Sequence, residues 1–452
     1  MKLFYFRSLV IFGLLIPGTL QATVSPTAKS RPNVVIVIAD DQTWSDAGCY
    51  GNSDVNTPHI DQLAKEGLKF NLAFTATAMC SPTRQQLYTG LFPVRSGAYP
   101  NHSQVRKGTQ SFVHYFKEAG YRVGLCGKRH IGPADSFPFT TVPKDKLAAF
   151  IAEPKPFLLV YASNSPHRPW TAGDASQYDP QSFTLPPYMY DNQQTRTVLA
   201  EYYAEITDFD RELATVDQAV SLAKKKDDTI FIYTSEQGAQ FPFGKWTCYD
   251  IGLHVGFIMR WPNHIAANSQ SDALVQYVDV VPTLLELCGI QIPTDLDGRS
   301  FANVALGRKD KHHRYVFGVH TTRGIIQGSD SYPIRSVRTR QFKLILNLNH
   351  TVTFHNIVTR GGGNPAWASW VQAAQTDPIA KTLVNGYMRR PAIEFYDLAA
   401  DPFERTNIAD LTQHQKEIAR LSKILKSWMR QQGDQGHATE MLVKAHKSVS
   451  GK

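Results

Sequence analysis

The segment Asn33–Ala39 constrains the fold of this 452-residue chain most strongly, because it is apolar at every position after the first. Such continuous hydrophobicity predicts a central strand of a parallel sheet, buried on both faces. Two later segments, Pro156–Ala162 and Thr229–Thr234, have the same character. Helical patterns lie between these strands, at 57–67, 111–120 and 198–224. This alternation predicts an α/β fold with a mostly parallel sheet and helices on both faces.

The character of the chain changes near residue 310. Segments 315–318 and 342–346 are strand-like without an obvious crossover helix between them, and a further strand-like segment at 394–398 leads into a helical pattern over 413–431. We therefore predict an α/β domain over 31–310 and a smaller C-terminal subdomain over 311–435. The subdomain should contain an antiparallel sheet and a terminal helix. We expect the tail, 436–452, to be loose.

The N-terminus has the pattern of an export signal. Lys2 and Arg7 flank the start of a short apolar run that Pro17 ends, and Ala22 is a small residue at a suitable distance for cleavage. The run is too short to span a bilayer. We predict a signal peptide over 1–22 and an exported protein, periplasmic or secreted, without a membrane span.

Basic residues exceed acidic ones, and the formal net charge is +9. Such an excess suits nucleic acid, an anionic surface or an acidic substrate. The chain has no basic helix and no zinc-finger spacing, so we expect an anionic polysaccharide rather than nucleic acid as the partner. A solvated basic surface with no functional role is the alternative.

Polar residues follow the predicted strands where an α/β sheet places its active site, at the carboxyl ends. Asp40 and Asp41 follow the first strand, and two adjacent carboxylates repel each other unless a cation or a proton intervenes. Oxygen ligands of this kind suit Ca²⁺ or Mg²⁺. A turn or a helix cap is the alternative for such a pair.

Basic residues follow two further strands. Lys128 and His130 are two residues apart, and on an extended segment both would face the same way and could bind a tetrahedral anion. His167 lies between prolines on a rigid loop. A basic surface turn and an exposed loop histidine are the simpler alternatives.

The run from Cys80 to Gly90 predicts a short helix, with Pro82 in its first turn and the glycine at its end. Cys80 would then lie at a helix N-terminus near Arg84, a position that favours an anion. A buried cysteine before an ordinary helix is the alternative. The run Cys-x-Pro-x-Arg followed by Leu-x-Thr-Gly resembles the signature of type I sulfatases, although Gln85 and Gln86 stand where small residues are commoner. In that family the cysteine is oxidised to formylglycine, the catalytic residue.

The resemblance extends over about residues 32–431 and implies the other site residues. Gly-Lys-x-His with Lys128 and His130, and Pro-His with His167, are landmarks of the family. The family's Ser-Asp-Asn-Gly metal motif reads Ser-Glu236-Gln237-Gly here, which retains an oxygen donor at each position. The implied metal ligands are Asp40, Asp41, Cys80 as formylglycine, Glu236 and Gln237. Ca²⁺ tolerates variable geometry better than Mg²⁺, so we expect one calcium ion.

The resemblance also implies an alkaline-phosphatase-like fold and a mechanism. Hydrated formylglycine, positioned by Arg84, would attack sulfur while the metal and Lys128 neutralise charge. His167, with Lys245, would bind the sulfate and protonate the leaving atom, and His130 would accept the proton of the remaining hydroxyl. A formylglycine-generating enzyme would be a partner during maturation.

Within the family, the chain looks closest to the N-sulfoglucosamine sulfohydrolases, the heparan sulfamidases. The similarity is carried by segments 127–133, 235–245, 331–337 and 346–349. Segment 321–326 departs from that group, so sulfate esters of carrageenan or fucan are alternative substrates. A phosphatase or phosphonate hydrolase of the same superfamily and an inactive glycan-binding homologue are further alternatives. Segments 168–197 and 321–364 match no landmark, and we expect them to determine specificity.

Overall fold

The computed structural model describes residues 1, 3, 31–360 and 364–443. The predicted signal peptide, 1–22, lies outside the described residues apart from Met1 and Leu3. The described residues from Arg31 to Val443 form one compact unit. In the part of this unit that the structure describes, no helix is both long enough and apolar enough to cross a bilayer.

The first sheet contains nine strands: β1 (Asn33–Ala39), β2 (Leu68–Phe74), β3 (Arg122–Gly127), β4 (Thr140–Thr141), β5 (Phe157–Ala162), β6 (Thr229–Ser235), β7 (His254–Arg260), β8 (Ser269–Ser271) and β9 (Val275–Gln276). Their order is β4-β3-β5-β1-β6-β7-β2-β8, and β9 pairs with β2. Among these strands only β7 runs against its neighbours, β6 and β2. The predicted mostly parallel sheet is therefore confirmed.

Helices cover both faces of this sheet: α1 (Pro58–Glu66), α2 (Cys80–Thr89), α3 (Pro93–Ser96), α4 (Phe112–Glu118), α5 (Leu147–Ala152), α6 (Gln193–Leu222), α7 (Asp250–Leu253), α8 (Val280–Leu287) and α9 (Ala302–Ala305). All seven residues of β1 are buried. Its even-numbered positions, such as Ile36, pack in one core cluster with α4 and α8. Its odd-numbered positions, such as Val35, pack in another with α1 and α6. Burial on both faces explains why β1 is apolar without alternation.

The second sheet is antiparallel, in the order β10 (Val316–His320), β11 (Ile334–Arg338), β12 (Phe342–Asn347) and β13 (Ile393–Asp397). The remaining helices are α10 (Pro365–Ala373), α11 (Pro378–Met388), α12 (Gln415–Gln432) and α13 (His437–Met441). Leu421, Leu425 and Trp428 of α12 pack on Val337 and Leu344 of the sheet. The predicted antiparallel sheet and terminal helix are confirmed, whereas β11, α10 and α11 were not predicted.

The domain division at residue 310 stays a prediction, since the two sheets belong to one compact unit. The predicted loose tail needs a correction where the structure describes it. Residues 437–441 form α13, and the Glu440 side chain is completely buried. Its contacts with loops far away in sequence explain why the sequence pattern did not reveal this order.

Candidate active site

Four adjacent parallel strands, β3, β5, β1 and β6, end at one edge of the first sheet. Their registers align Gly127 with Ala162 and Ala39 with Ser235. The backbone pairing continues past the strand ends, because the Lys128 N–H donates to the Ala162 carbonyl at 2.8 Å and the Glu236 N–H to the Ala39 carbonyl at 3.0 Å. The side chains that follow these strands are therefore brought to one place.

Cys80 is the first residue of α2 and is 2% exposed. Gly90 ends the helix in a left-handed conformation, with φ 69°. The two glutamines noted in the signature anchor this helix to its surroundings. Gln86 Oε1 accepts the Ala76 N–H at 3.0 Å, and Gln85 binds the chain at residues 103 and 105 through both ends of its amide. These contacts fix the position of Cys80, a role that the sequence pattern did not show.

Carboxylate and amide groups surround the Cys80 sulfur. The Gln237 Nε2 lies 3.5 Å from Cys80 Sγ and donates to Asp41 Oδ1 at 2.5 Å and to Glu236 Oε1 at 3.0 Å. Cys80 Sγ itself lies 3.8 Å from Asp41 Oδ1. All four polar side chains of the predicted metal set, Asp40, Asp41, Glu236 and Gln237, are buried.

Three cations neutralise this acidic cluster. Arg84 contacts the Glu236 carboxylate and lies 3.8 Å from Asp40 Oδ1. Lys128 contacts Asp40 and lies 3.8 Å from Glu236 Oε1. Lys245 lies 2.5 Å from Asp41 Oδ2. The three carboxylates therefore balance the three bases, so a divalent cation and an anionic substrate could enter together without leaving a large net charge.

The electrostatics of the cluster show strong like-charge coupling. Burial and the neighbouring Glu236 carboxylate raise the pKa of Asp40 well above its usual value. Burial opposes ionisation of Glu236 too, but Arg84 and Lys128 outweigh it and hold the pKa of Glu236 well below its usual value. Two carboxyl groups in contact inside the protein need either a shared proton or a cation.

The residues present fit a hard divalent cation. Asp40 Oδ1 and Gln237 Oε1 are buried oxygen atoms without a hydrogen-bond partner in the described part of the chain. One ligand atom from each of Asp40, Asp41, Cys80 and His167 lies within 4.8 Å of the others. Rotating the Gln237 amide by half a turn would place its oxygen where the nitrogen now contacts the carboxylates. The donor set is then the oxygen-rich type that Ca²⁺ and Mg²⁺ use.

His167 lies on the loop after β5, with Nε2 3.6 Å from Asp41 Oδ2. Its Nδ1 pairs with the Arg168 carbonyl oxygen at 2.6 Å, which orients the ring. The Asp41 carboxylate raises the pKa of His167 to about 9. This interaction favours the protonated ring, which can serve as an acid.

The expectation that Lys128 and His130 lie on one extended segment is wrong. The backbone turns left-handed at Gly127, with φ 93°, and at His130, with φ 39°. The His130 Nε2 instead pairs with His102 Nδ1 at 2.8 Å, at the edge of the cluster. Burial and Lys128 lower the pKa of His130 to about 4, so its ring is neutral. His102 was not predicted, since nothing in its local sequence distinguishes it from an ordinary loop histidine.

The structure thus brings together nine of the ten predicted site residues around Cys80 and places His130 at the margin. Two family models match the chain: a sulfatase model over residues 32–145 and 139–290, and an N-sulphoglucosamine sulphohydrolase C-terminal model over 238–358. An ulvan-active sulfatase of Formosa agariphila is 33% identical over 428 residues, which cover 91% of this chain and 82% of that protein.

The chain belongs to the sulfatase family. Human N-sulphoglucosamine sulphohydrolase is a second relative, 27% identical over 473 residues, covering 88% of this chain and 90% of that protein. A structure solved in complex with its substrate D-glucosamine-2-N,6-O-disulfate has the same fold, with a TM-score of 0.69 at 19% identity over 90% of this chain and 99% of that one. The predicted family and the predicted class, a sulfuric ester hydrolase, are both confirmed.

Proposed function

We propose that this sulfatase removes sulfate from a sulfated saccharide, with formylglycine made from Cys80 as the catalytic residue and a calcium ion as cofactor. One observation carries the proposal: Cys80 begins α2 with its sulfur inside a buried cluster of balanced carboxylates and cations. A structural cysteine needs no such surroundings, and a cluster of this charge density is difficult to maintain without a function.

In the proposed reaction the hydrate of formylglycine replaces the thiol, so its oxygens occupy the region of Cys80 Sγ. Lys128 and Lys245, which contact Asp40 and Asp41, would bind the sulfate oxygens. Arg84 is completely buried and contacts Glu236, which fixes its guanidinium beside the nucleophile. A calcium ion held by Asp40, Asp41, Glu236 and Gln237 would supply further positive charge to the sulfate oxygens.

Proton transfers complete the reaction. A hydroxyl of the hydrate attacks sulfur and gives its proton to Asp41, whose Oδ1 lies 3.8 Å from Cys80 Sγ. The bond from sulfur to the leaving atom breaks, and protonated His167 gives its Nε2 proton to that atom. His130, neutral at the margin of the site, accepts the proton of the second hydroxyl as the carbon–oxygen bond to sulfate breaks. Sulfate leaves, the aldehyde forms again, and a water molecule restores the hydrate. Of the two protons held by Asp41 and His130, one returns to His167 and the other is released to solvent.

For the substrate we propose a sulfate ester of an ulvan-like algal polysaccharide ahead of N-sulfated glucosamine. The ulvan-active relative is more similar to this chain, at 33% identity, than the human sulfamidase, at 27%. The formal charge of +9 would aid capture of a polyanion. Export to the periplasm or the medium would place the enzyme with such glycans, after conversion of Cys80 by a formylglycine-generating enzyme.

An inactive glycan-binding homologue is the second candidate. It is favoured by the Gln237 amide, whose nitrogen rather than oxygen faces the carboxylates. In that arrangement the amide N–H groups donate hydrogen bonds to the carboxylates that a bound cation would otherwise contact.

The test is to produce the chain together with a formylglycine-generating enzyme and to measure the mass of the peptide that contains Cys80. Free sulfate is then measured after incubation with ulvan, carrageenan, fucan and heparin oligosaccharides, with and without chelator. We expect aldehyde at position 80 and calcium-dependent sulfate release. Activity with an unconverted thiol would contradict the mechanism. No release despite conversion would favour the inactive homologue, and faster hydrolysis of phosphate esters would favour a phosphatase.

A further inference from the structure

A pocket of about 510 Å³ lies where β10 ends, β11 begins and β12 ends, outside the cluster around Cys80. Its lining includes Arg323, Asp330, Asn349, His355, Arg360 and His437. Its volume lies within the roughly 300–1,000 Å³ typical of small-molecule sites. Much of its lining comes from segment 321–364, one of the two segments expected to determine specificity.

The base of this pocket is held in place by the C-terminal strap, residues 434–443. Glu440 Oε1 accepts the N–H groups of Thr322 and Arg323, both at 2.8 Å, and that of Tyr332 at 3.2 Å. Asp434 forms a completely buried ion pair with Arg335, at 2.5 and 2.9 Å. The wall that carries Arg323 is therefore preorganised.

The strap also joins the pocket to the catalytic side of the molecule. The Tyr99 hydroxyl donates to the Thr439 carbonyl at 2.9 Å, and the chain just beyond Tyr99 is bound by Gln85 of the Cys80 helix. His102, three residues after Tyr99, pairs with His130 at the edge of the Cys80 cluster, so the short segment 99–102 contacts both the strap and that edge.

The two arginines of the pocket form no ion pair in the described part of the chain. The Arg360 guanidinium has no hydrogen bond and no carboxylate partner among the described residues. In Arg323 only Nε forms a hydrogen bond there, donated to the Val443 carbonyl oxygen at 2.5 Å. Asp330 lines the same pocket but pairs with neither arginine in the described structure. Burial and Arg360 together lower the pKa of His355, which agrees with a positive local potential.

Another basic cavity, of about 430 Å³, provides a contrast. Its Arg340 and Arg420 already pair with Asp272 and Glu417, although Lys311 and Arg314 also line it. Unpaired guanidinium groups that converge on one concavity suit a planar or tetrahedral oxyanion, which they can bind with charge-assisted hydrogen bonds.

We propose that this pocket is an anion subsite, in which Arg323 and Arg360 bind a sulfate or carboxylate group on a neighbouring unit of the saccharide substrate. The inference depends on the proposed function only in taking an anionic saccharide as the ligand. The enzyme would then recognise a charged sugar beside the scissile group, which favours action on oligomers over single sulfated sugars.

Binding to the unconverted protein, in which residue 80 is still cysteine, tests the subsite without catalysis. The probe is a sulfated tetrasaccharide cut from ulvan, titrated calorimetrically into the wild type and the variants Arg323→Gln, Arg360→Gln and the double variant. We expect the Kd to rise about tenfold for each substitution and about a hundredfold for both. Arg340→Gln, at an arginine outside the pocket, is the matched control and should leave the Kd unchanged.

Modified probes identify the group that is bound. If removing the sulfate groups of the probe abolishes the difference in Kd between the wild type and the arginine variants, the bound group is a sulfate. If reducing the carboxyl groups of the probe abolishes it, the bound group is a carboxylate. Either result supports the subsite. Equal Kd values for the wild type and the double variant would overturn it, as would an equal loss of affinity in Arg340→Gln, which would indicate only general charge attraction.

In the converted enzyme, the pocket variants should raise KM for the tetrasaccharide and change kcat by less than about twofold. A failure of sulfate release would contradict the proposed function but leave the binding result intact.

Discussion

Replacement of Lys245 by methionine tests the charge balance around Cys80. The Lys245 side chain is 2% exposed, and its ammonium lies 2.5 Å from Asp41 Oδ2, which is completely buried. Methionine retains the apolar stem and removes the charge. Among the described residues, Asp41 then keeps the Gln237 amide at 2.5 Å, the His167 ring at 3.6 Å and the Cys80 thiol at 3.8 Å.

The size of the effect follows from the burial of the pair. Removing one partner of a buried ion pair costs about 3–5 kcal/mol, because the other charge is left uncompensated. Unfolding entropy of about 2.1 cal/mol/K per residue, over a mature chain of roughly 400 residues, converts this loss to a fall of about 3–6 °C in the melting temperature. Calcium should reverse much of the loss, because an Asp41 released from Lys245 binds a cation more tightly.

The assay is a thermal melt of each protein in chelator and in excess CaCl₂. Lys245→Met should melt below the wild type in chelator and gain more from calcium than the wild type does. Lys343→Met is the matched control, since Lys343 is equally buried and lies 2.6 Å from Asp250 and 3.0 Å from Glu404, away from the site. It should also lose stability, but its calcium shift should equal that of the wild type. Equal calcium shifts in Lys245→Met and the wild type would show that Lys245 does not compete with calcium for Asp41.

Three further outcomes are expected. Cys80→Ala should reduce sulfate release on the order of 10³-fold or more while circular dichroism shows a retained fold. Gly127→Ala should lower the melting temperature much more than Gly120→Ala does, although both glycines have φ near 90°. A Cβ at position 127 would lie 2.1 Å from a backbone oxygen of β5, whereas a Cβ at position 120 would meet nothing within 4 Å. Burial lowers the pKa of His254 to about 3, so stability should fall as pH drops below the unfolded value of 6.5, by about 2 kcal/mol between pH 7 and pH 5. His254→Phe should remove this part of the pH dependence, and His264→Phe, at an exposed ring stacked on a tryptophan, should not.

The strands and helices of the first sheet could be predicted because their signals are local. A strand buried on both faces must be apolar throughout, as β1 is, and an exposed helix must show one apolar stripe. The rule that active sites lie at the carboxyl ends of parallel strands then brought Asp40, Lys128, His167 and Glu236 to one edge. The second sheet was predicted less completely, because β11 was not recognised as a strand next to the polar loop that precedes it.

The fold class, the family and most of the side chains around Cys80 could thus be predicted from the sequence. How those side chains are held depends on the packing of distant segments. The pairing of His130 with His102, the anchoring of α2 by Gln85 and the binding of residues 322–332 by Glu440 all join segments that lie far apart in the chain. A hydrogen bond of this kind leaves no periodic trace in either segment, because one polar residue at one position suffices to form it. Such contacts exist only once the two sheets and the C-terminal strap have packed together.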